Sequence, residues 1–292
     1  MNIFDFKTAD ARKVFYLEDK REQGGVPLLK FQLLEQTGII EHGFTTRAGG
    51  VSKGIFSSLN LSYTRGDDKS AVDENFHRTA VSLSADISDF VLSDQTHTVN
   101  IRKVTSADCG KGILKERDYH DVDGLITNEP GIVLSAFFAD CVPLFFVDPL
   151  HCAVGISHSG WRGTVARMGR ETILAMKDAY GSDPKDIICA IGPSICQSCY
   201  EVDKDVAMQF IDEFPGAGRE LCDPTVSGKY QLNLWKANEL VLKEAGIRPQ
   251  HLAVTNICTC CNPSLLFSHR ASHGKRGNLG AFIKLLPPLG HI

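Results

Sequence analysis

The sequence IVLSAFFADCVPLFFV, residues 132–147, contains the longest apolar run of the chain, which extends from Ala136 to Val147. Asp140 and Pro143 interrupt that run, and it is too short to cross a bilayer as a helix. The segments on either side of the interruption are rich in β-branched and aromatic residues, which predicts strands at residues 132–137 and 142–147. A charged residue inside an apolar run costs free energy unless it is paired, so the Asp140–Cys141 pair indicates a site.

Short apolar segments bounded by Gly, Pro, Asp or Asn continue outward from this stretch in both directions. They predict further strands at residues 39–44, 90–92, 124–126, 153–156, 187–191 and 253–257. Helical spacing of apolar residues predicts long helices at 164–180 and 232–245 and shorter ones at 71–83 and 203–210. Residues 45–54 and 214–229 have the composition of loops.

The order of these elements predicts the fold class. Strands and helices are mixed without a strict βαβ rhythm, and many strands are separated by turns alone, which favours an α+β fold over a doubly wound one. We therefore predict layered mixed β-sheets flanked by helices, an αββα-like arrangement. No Pro/Ser-rich linker divides the chain, so we expect a single domain over residues 1–292.

Composition narrows the function classes. The net charge is -4 and the basic residues are spread along the 292-residue chain, which argues against nucleic-acid binding but leaves room for a small anionic ligand. The first twenty residues lack the apolar stretch of a secretory signal, so we expect a soluble cytoplasmic protein with no membrane association, as a monomer or homodimer. In a reducing compartment, ten cysteines are more often core residues, metal ligands or nucleophiles than disulfides.

Three segments carry residues suited to chemistry: SDQTH at 93–97, FADCVP at 138–143 and ISHSGWRGT at 156–164. They supply His97, Cys141 and His158, and two imidazoles with one thiolate suit a catalytic zinc that keeps a fourth position for water or substrate. The glycine-rich turn before the predicted helix at Thr164 offers backbone N–H groups for an anion, and Arg162 adds a positive charge. The residues alone also allow an interpretation without a metal site. In it, His97 is a surface histidine, Cys141 a small core residue and His158 a capped turn residue.

Ordered motifs extend through most of the chain. They are HGFTTR at 42–47, GGVS at 49–52, LNL at 59–61, EN at 74–75, QTH at 95–97, DGLIT at 123–127, ADCVP at 139–143, HSGWRGT at 158–164, IGP at 191–193, YEV at 200–202 and FSHR at 267–270. Together they resemble the laccase-domain (YfiH-like) family, first labelled multicopper polyphenol oxidases and later recognised as purine nucleoside phosphorylases with adenosine deaminase activity. The sequence departs from the family pattern at Thr98, where a glycine is usual, and at His269, where an aromatic residue is usual.

The resemblance implies that His97, Cys141 and His158 bind the metal and form the catalytic centre, with zinc as the metal and copper as the alternative. The implied substrates are phosphate and purine nucleosides such as adenosine, inosine, guanosine and 5′-methylthioadenosine. Phosphate would attack the ribose C1′, and zinc-activated water would attack purine C6. We predict Arg47 and Arg162 as phosphate ligands, with a loop-anchoring salt bridge as the alternative for Arg47. We predict that Asp140 orients a ligand or substrate at the site, with turn capping as the alternative.

Five further cysteines have no assigned role in this interpretation: Cys196, Cys199, Cys258, Cys260 and Cys261. They suggest a structural tetrathiolate zinc site or a redox pair, but Cys260 and Cys261 are adjacent and no thioredoxin-like βαβ unit surrounds the Cys-x-x-Cys. We expect ordinary structural cysteines.

Three other functions remain as alternatives. A copper-dependent polyphenol oxidase needs several coppers, and the sequence has no ordered set of His-x-His pairs to hold them. A hydrolase would use Cys141 as nucleophile and His158 as base. A non-enzymatic binding module would not explain why a charged Asp140 lies beside Cys141 within an apolar run.

Overall fold

The apolar stretch at residues 132–147 forms two strands, Val133–Phe138 and Val142–Asp148, that belong to different β-sheets. The computed structural model describes residues 5–10 and 13–288. Its strands are β1 Phe15–Asp19, β2 Pro27–Phe31, β3 Ile40–Thr45, β4 Phe90–Leu92, β5 Ile101–Lys103, β6 Gly124–Thr127, β7 Val133–Phe138, β8 Val142–Asp148, β9 Ala153–Ser159, β10 Ile188–Ile191, β11 Glu201–Val202, β12 Cys222–Pro224, β13 Tyr230–Leu232, β14 Leu252–Val254 and β15 Leu279–Leu285. Its α-helices are α1 Gln32–Glu35, α2 Lys69–Ser82, α3 Trp161–Val165, α4 Met168–Tyr180, α5 Lys204–Glu213, α6 Gly218–Leu221 and α7 Leu234–Glu244.

The strands form two six-stranded mixed sheets and a small three-stranded one. The first sheet has the order β1-β2-β3-β15-β7-β4, and only its β4–β7 pair is parallel. The second has the order β14-β10-β8-β9-β6-β5, with parallel pairs at both edges. The small sheet has the order β11-β13-β12.

Strand β8 shows how the layers are held together. Its seven residues are all buried, because both faces of the strand are covered. Phe145 and Val147 point into the core between the two large sheets, while Leu144 and Phe146 point to the other face. Across the sandwich, the ring centroids of Phe31 and Phe145 lie 5.0 Å apart.

Helices cover the outer faces of both sheets. Helices α4 and α7 pack on the second sheet through Ile173 and Val241, α5 packs on the small sheet, and α2 packs on the first sheet through Phe76. This arrangement confirms the predicted α+β fold with layered mixed sheets and flanking helices. Within the described ranges, no helix is both long and apolar enough to cross a membrane.

All eight predicted strands are confirmed with shifts of three residues or fewer at their ends. The largest shifts are at β9, predicted at 153–156, and at β14, predicted at 253–257. The continuous helix predicted at 164–180 was wrong, since it divides into α3 and α4 at Arg167, whose φ of 63° is left-handed. Arg167 forms ion pairs with Glu213 and Glu244, which hold it in the break. The loop predicted at 214–229 was also wrong, because it contains α6 and β12.

Candidate metal centre and its cavity

Two connections between the large sheets bring the three predicted ligands together. His97 lies on the connection from β4 to β5 and Cys141 on the turn from β7 to β8, so both pass from the first sheet to the second. His158 lies near the end of β9. One ligand atom from each of the three side chains lies within 4.8 Å of the others, and the two imidazole rings meet edge to face with centroids 4.9 Å apart.

A fully buried carboxylate, Asp123, organises this group. Its Oδ2 accepts hydrogen bonds from the backbone N–H of Thr96 (3.0 Å) and Thr98 (2.9 Å), and its Oδ1 accepts from that of His97 (3.1 Å). These bonds stabilise His97 in a left-handed conformation, φ 70°. Asp123 Oδ1 also accepts from Nδ1 of His158 at 2.7 Å, which leaves Nε2 of that ring for the metal position.

Asp123 was not among the predicted site residues, although it begins the DGLIT motif. A sequence signal for Asp123 was present, because it is a charged residue directly before a buried strand, much as Asp140 interrupts an apolar run. Thr98, the departure from the family pattern, also uses Asp123. Its hydroxyl donates to Asp123 Oδ2 at 3.0 Å and lies 3.1 Å from the carbonyl of Asp121, so the side chain anchors the His97 loop.

Space for an ion is provided by the absence of a side chain at Gly160, the residue before α3. A Cβ there would lie 3.0 Å from Cys141 Sγ and 3.1 Å from His97 Cδ2. Two imidazoles and a thiolate are a donor set suited to zinc. The residues present therefore fit a single divalent ion with an open coordination position.

Charge interactions at this site oppose the effect of burial on the pKa values of Cys141 and His158. Burial alone raises the pKa of the Cys141 thiol, but the charge of His158 and hydrogen bonds from His158 and His97 lower that pKa to about 6. Burial lowers the pKa of His158, but the Cys141 thiolate and Asp123 raise it to about 9. A metal-free site therefore holds a thiolate–imidazolium pair at neutral pH.

The metal centre opens into a cavity of about 290 Å³, near the lower end of the range for small-molecule sites. His97, Cys141 and His158 line it together with three arginines: Arg65, Arg117 and Arg276. Arg117 is neutralised by Asp94 at 2.8 Å. In the described part of the chain, neither Arg65 nor Arg276 has a carboxylate partner.

Arg276 has an unsatisfied hydrogen-bond donor. It is 9% exposed, and its buried Nε has no hydrogen-bond partner among the described residues. Burial, together with the charge of Arg65, lowers the pKa of this guanidinium to about 10. A buried cation in this environment is suited to an anionic ligand.

The structure places the predicted arginines away from this cavity. Arg47 donates to the carbonyls of Ser57 (2.8 Å) and Pro263 (2.7 Å), lies over the Phe267 ring and lines a neighbouring cavity that it shares with Arg276. Exposed Arg162 stacks on Trp161. The prediction that a helix begins at Thr164 and offers a free backbone N–H to an anion there was wrong. The helix begins at Trp161, and the Thr164 N–H donates to the Gly160 carbonyl.

Asp140 holds two neighbouring segments beside Cys141. Its Oδ1 accepts from the Thr259 hydroxyl at 2.6 Å and its Oδ2 from the Arg270 N–H at 2.7 Å, and its own φ is 90°. These contacts fix the left-handed turn from which Cys141 reaches the site.

The chain is similar in sequence and in fold to known proteins. The chain is 41% identical over 245 residues to purine nucleoside phosphorylase YlmD of Bacillus subtilis, covering 82% of this chain and 87% of that protein. The crystal structure of YlmD from Geobacillus stearothermophilus superposes with a TM-score of 0.85 at 35% identity, over 94% of this chain and 100% of that one. A Bacillus licheniformis protein, YfiH, superposes with a TM-score of 0.84 at 36% identity, over 88% of this chain and 96% of that one.

Residues 41–286 match the model of a family described as multi-copper polyphenol oxidoreductase laccase, and the chain belongs to that family. The predicted family is thereby confirmed. The names of the relatives support an enzymatic function.

Proposed function

We propose that this protein is a zinc-dependent purine nucleoside phosphorylase. One observation carries the proposal: a single cavity contains both the His97, Cys141 and His158 group and the buried guanidinium of Arg276, whose Nε has no hydrogen-bond partner among the described residues. Phosphorolysis needs a site for phosphate beside a site that activates or orients the nucleoside. The names of the similar proteins support the same reaction.

Phosphate is held by Arg276 and Arg65 in this proposal. The two guanidinium groups repel each other, and a phosphate between them relieves that repulsion with charge-assisted hydrogen bonds. A phosphate oxygen then forms a bond to ribose C1′, and the bond from C1′ to the purine breaks. Binding phosphate by Arg47 stays a prediction, with the small cavity shared by Arg47 and Arg276 as the place for it. The same holds for Arg162.

His97, Cys141 and His158 would hold the metal, which when bound supplies Lewis acidity at an open coordination position. Asp123 keeps His158 in the tautomer that presents Nε2 and holds the His97 loop in place. A metal bound there would replace the proton shared by Cys141 and His158, so binding would release a proton. The apolar side of the cavity, with Leu61 and Phe137, gives the purine a surface for contact.

Deamination of adenosine at C6 is the second reaction that we propose for the site. It needs water in place of phosphate and makes no use of Arg276. The two reactions therefore separate by product, since phosphorolysis releases adenine and a sugar phosphate while deamination releases inosine and ammonia.

The test is incubation of metal-assayed protein with adenosine, inosine, guanosine and 5′-methylthioadenosine, with and without phosphate, followed by product identification. We expect free base only when phosphate is present, and loss of all products in His97→Ala. The matched control is His120→Ala, an exposed histidine outside the cavity. Unchanged turnover in His97→Ala would refute the assignment.

Hydrolysis by Cys141 is the second candidate, because Asp123, His158 and the lowered pKa of Cys141 also resemble a nucleophile with its base. Iodoacetamide separates the two. A thiolate that ligates zinc is protected until a chelator is added, whereas a free nucleophile is alkylated in the protein as purified.

A copper oxidase receives less support. Among the described residues, only two groups of His, Cys, Asp or Glu side chains converge as metal donors, and the second contains no histidine. Oxygen uptake with a phenol, measured beside metal content, tests this alternative. A cytoplasmic location, the absence of nucleic-acid binding and a monomeric or dimeric state stay predictions.

A further inference from the structure

Four cysteines outside the catalytic centre converge on one point. Cys196, Cys199, Cys258 and Cys261 come from two distant Cys-x-x-Cys segments, and their sulfur atoms all lie within 4.8 Å of one another. The sequence favoured ordinary structural cysteines because Cys260 and Cys261 are adjacent. In the structure Cys258 and Cys261 are the two cysteines that the second segment contributes to the cluster, and Cys260 is not one of the four.

The sulfur positions match the dimensions of one tetrahedral ion. Cys261 Sγ lies 3.5 Å from Cys199 Sγ and 4.0 Å from Cys196 Sγ. Four sulfurs bound at about 2.3 Å around a tetrahedral zinc lie about 3.8 Å from one another. The observed distances lie on either side of that value, and all four cysteines are free rather than disulfide-bonded.

Backbone donors are directed at one of these sulfurs. The buried Cys258 Sγ accepts hydrogen bonds from the N–H of Cys196 at 3.3 Å and of Cys261 at 3.4 Å. A thiol is a weak acceptor, so two N–H groups directed at one sulfur favour its anionic form. A cation bound among four sulfurs this close together would stabilise the deprotonated form of all four thiols.

We propose that these four cysteines bind one structural zinc ion, distinct from the catalytic centre. The site is closed, because four protein sulfurs fill a tetrahedral coordination shell and leave no position for substrate. The inference does not depend on the proposed nucleoside chemistry.

The position of this site gives it a role. It joins two segments that both hold Asp140, since the Ile195 N–H donates to the Asp140 carbonyl at 2.9 Å and the Thr259 hydroxyl donates to its Oδ1 at 2.6 Å. Asp140 is followed directly by Cys141 of the catalytic centre. The structural zinc therefore positions the turn that carries Cys141.

Metal counting on the full chain tests the proposal. We expect two zinc ions per chain in the parent protein and one in Cys196→Ser/Cys199→Ser. Cys260→Ser, which alters the neighbouring cysteine, is the matched control and keeps both. The His97→Ala/His158→Ala variant, loaded with cobalt alone, should show the charge-transfer and visible bands of a tetrahedral cobalt thiolate. Equal zinc content in the parent and in Cys196→Ser/Cys199→Ser, or a cobalt spectrum that needs Cys260, would overturn the assignment.

Alkylation of the unmutated protein covers the case in which a variant does not fold. Iodoacetamide followed by peptide mass spectrometry should leave the four cysteines unmodified until a chelator is added, and reaction at all four without chelator would contradict zinc binding. The positioning role predicts that Cys196→Ser/Cys199→Ser binds its remaining zinc about 10–100-fold more weakly. Unchanged affinity there would refute that role.

Discussion

The carboxylate of Asp123 is the part of the centre whose removal gives the sharpest test. It accepts from the N–H groups of Thr96, His97 and Thr98 and from the His158 ring. In Asp123→Asn only one oxygen remains. Either the Thr96 and Thr98 donors or the His97 and His158 donors then face an amide NH₂ group.

Each buried donor that loses its acceptor costs about 1–3 kcal/mol. Two donors without an acceptor amount to one broken buried pair, so we expect the free energy of unfolding to fall by about 3–5 kcal/mol. Zinc affinity should fall about 10–100-fold, because the His158 ring and the His97 loop lose their orientation. Urea denaturation with a chelator present measures the first effect without the contribution of bound zinc. Competition with a chromogenic chelator measures the second.

Asp148→Asn is the matched control. Asp148 is equally buried and accepts from the N–H groups of Leu150 and His151 and from the His151 ring at 2.8 Å, but it lies outside the metal cavity. It should lose stability and keep zinc affinity. If Asp123→Asn binds zinc as tightly as the parent, or if both variants lose affinity equally, the assigned role of Asp123 is refuted.

Three further predictions follow from the same site. Gly160→Ala places a Cβ 3.0 Å from Cys141 Sγ, so zinc content should be lost while the circular dichroism spectrum is kept; retained zinc would show that the site adjusts. In metal-free protein, the alkylation rate of Cys141 should rise with pH through about 6 instead of 9, because the lowered pKa maintains the reactive thiolate at lower pH. Mass spectrometry of the Cys141 peptide measures this rate. A rate profile centred near 9 would contradict the interaction of Cys141 with His158 and His97. Arg276→Gln should raise the KM for phosphate about 10–100-fold. Arg47→Gln should change it less, because Arg47 does not line the cavity that contains His97, Cys141 and His158; steady-state phosphorolysis kinetics that rank the two in reverse would move the phosphate site to Arg47.

The strands around Asp140 could be predicted from sequence, because residues buried on both faces leave a continuous apolar pattern. Strand β15 could not. It contains Gly280 and the buried Lys284, whose ammonium donates to the Ser84 carbonyl at 2.6 Å, and such a distant partner leaves no local signal. The break at Arg167 depends in the same way on glutamates that lie far along the chain.

The three side chains of the candidate metal centre could be picked out from motifs, whereas the residues that support them could not. His97, Cys141 and His158 lie in short motifs that their residue types mark as chemical. Asp123 acts through backbone N–H groups that carry no sequence signature. Arg276 was missed because an arginine in a basic loop has the pattern of a solvated residue, and only its burial reveals the unsatisfied Nε.

Strand β15 also decides when the first sheet can assemble. It pairs with β3 on one side and β7 on the other, so residues 279–285 are the only link between a β1-β2-β3 meander and the β4-β7 pair. During synthesis those two fragments have open edges until residues 279–285 have left the ribosome. Unpaired edges recruit other strands, and pairing over such separations is slow. The nascent chain therefore passes through a long interval in which it is vulnerable to aggregation and dependent on chaperones.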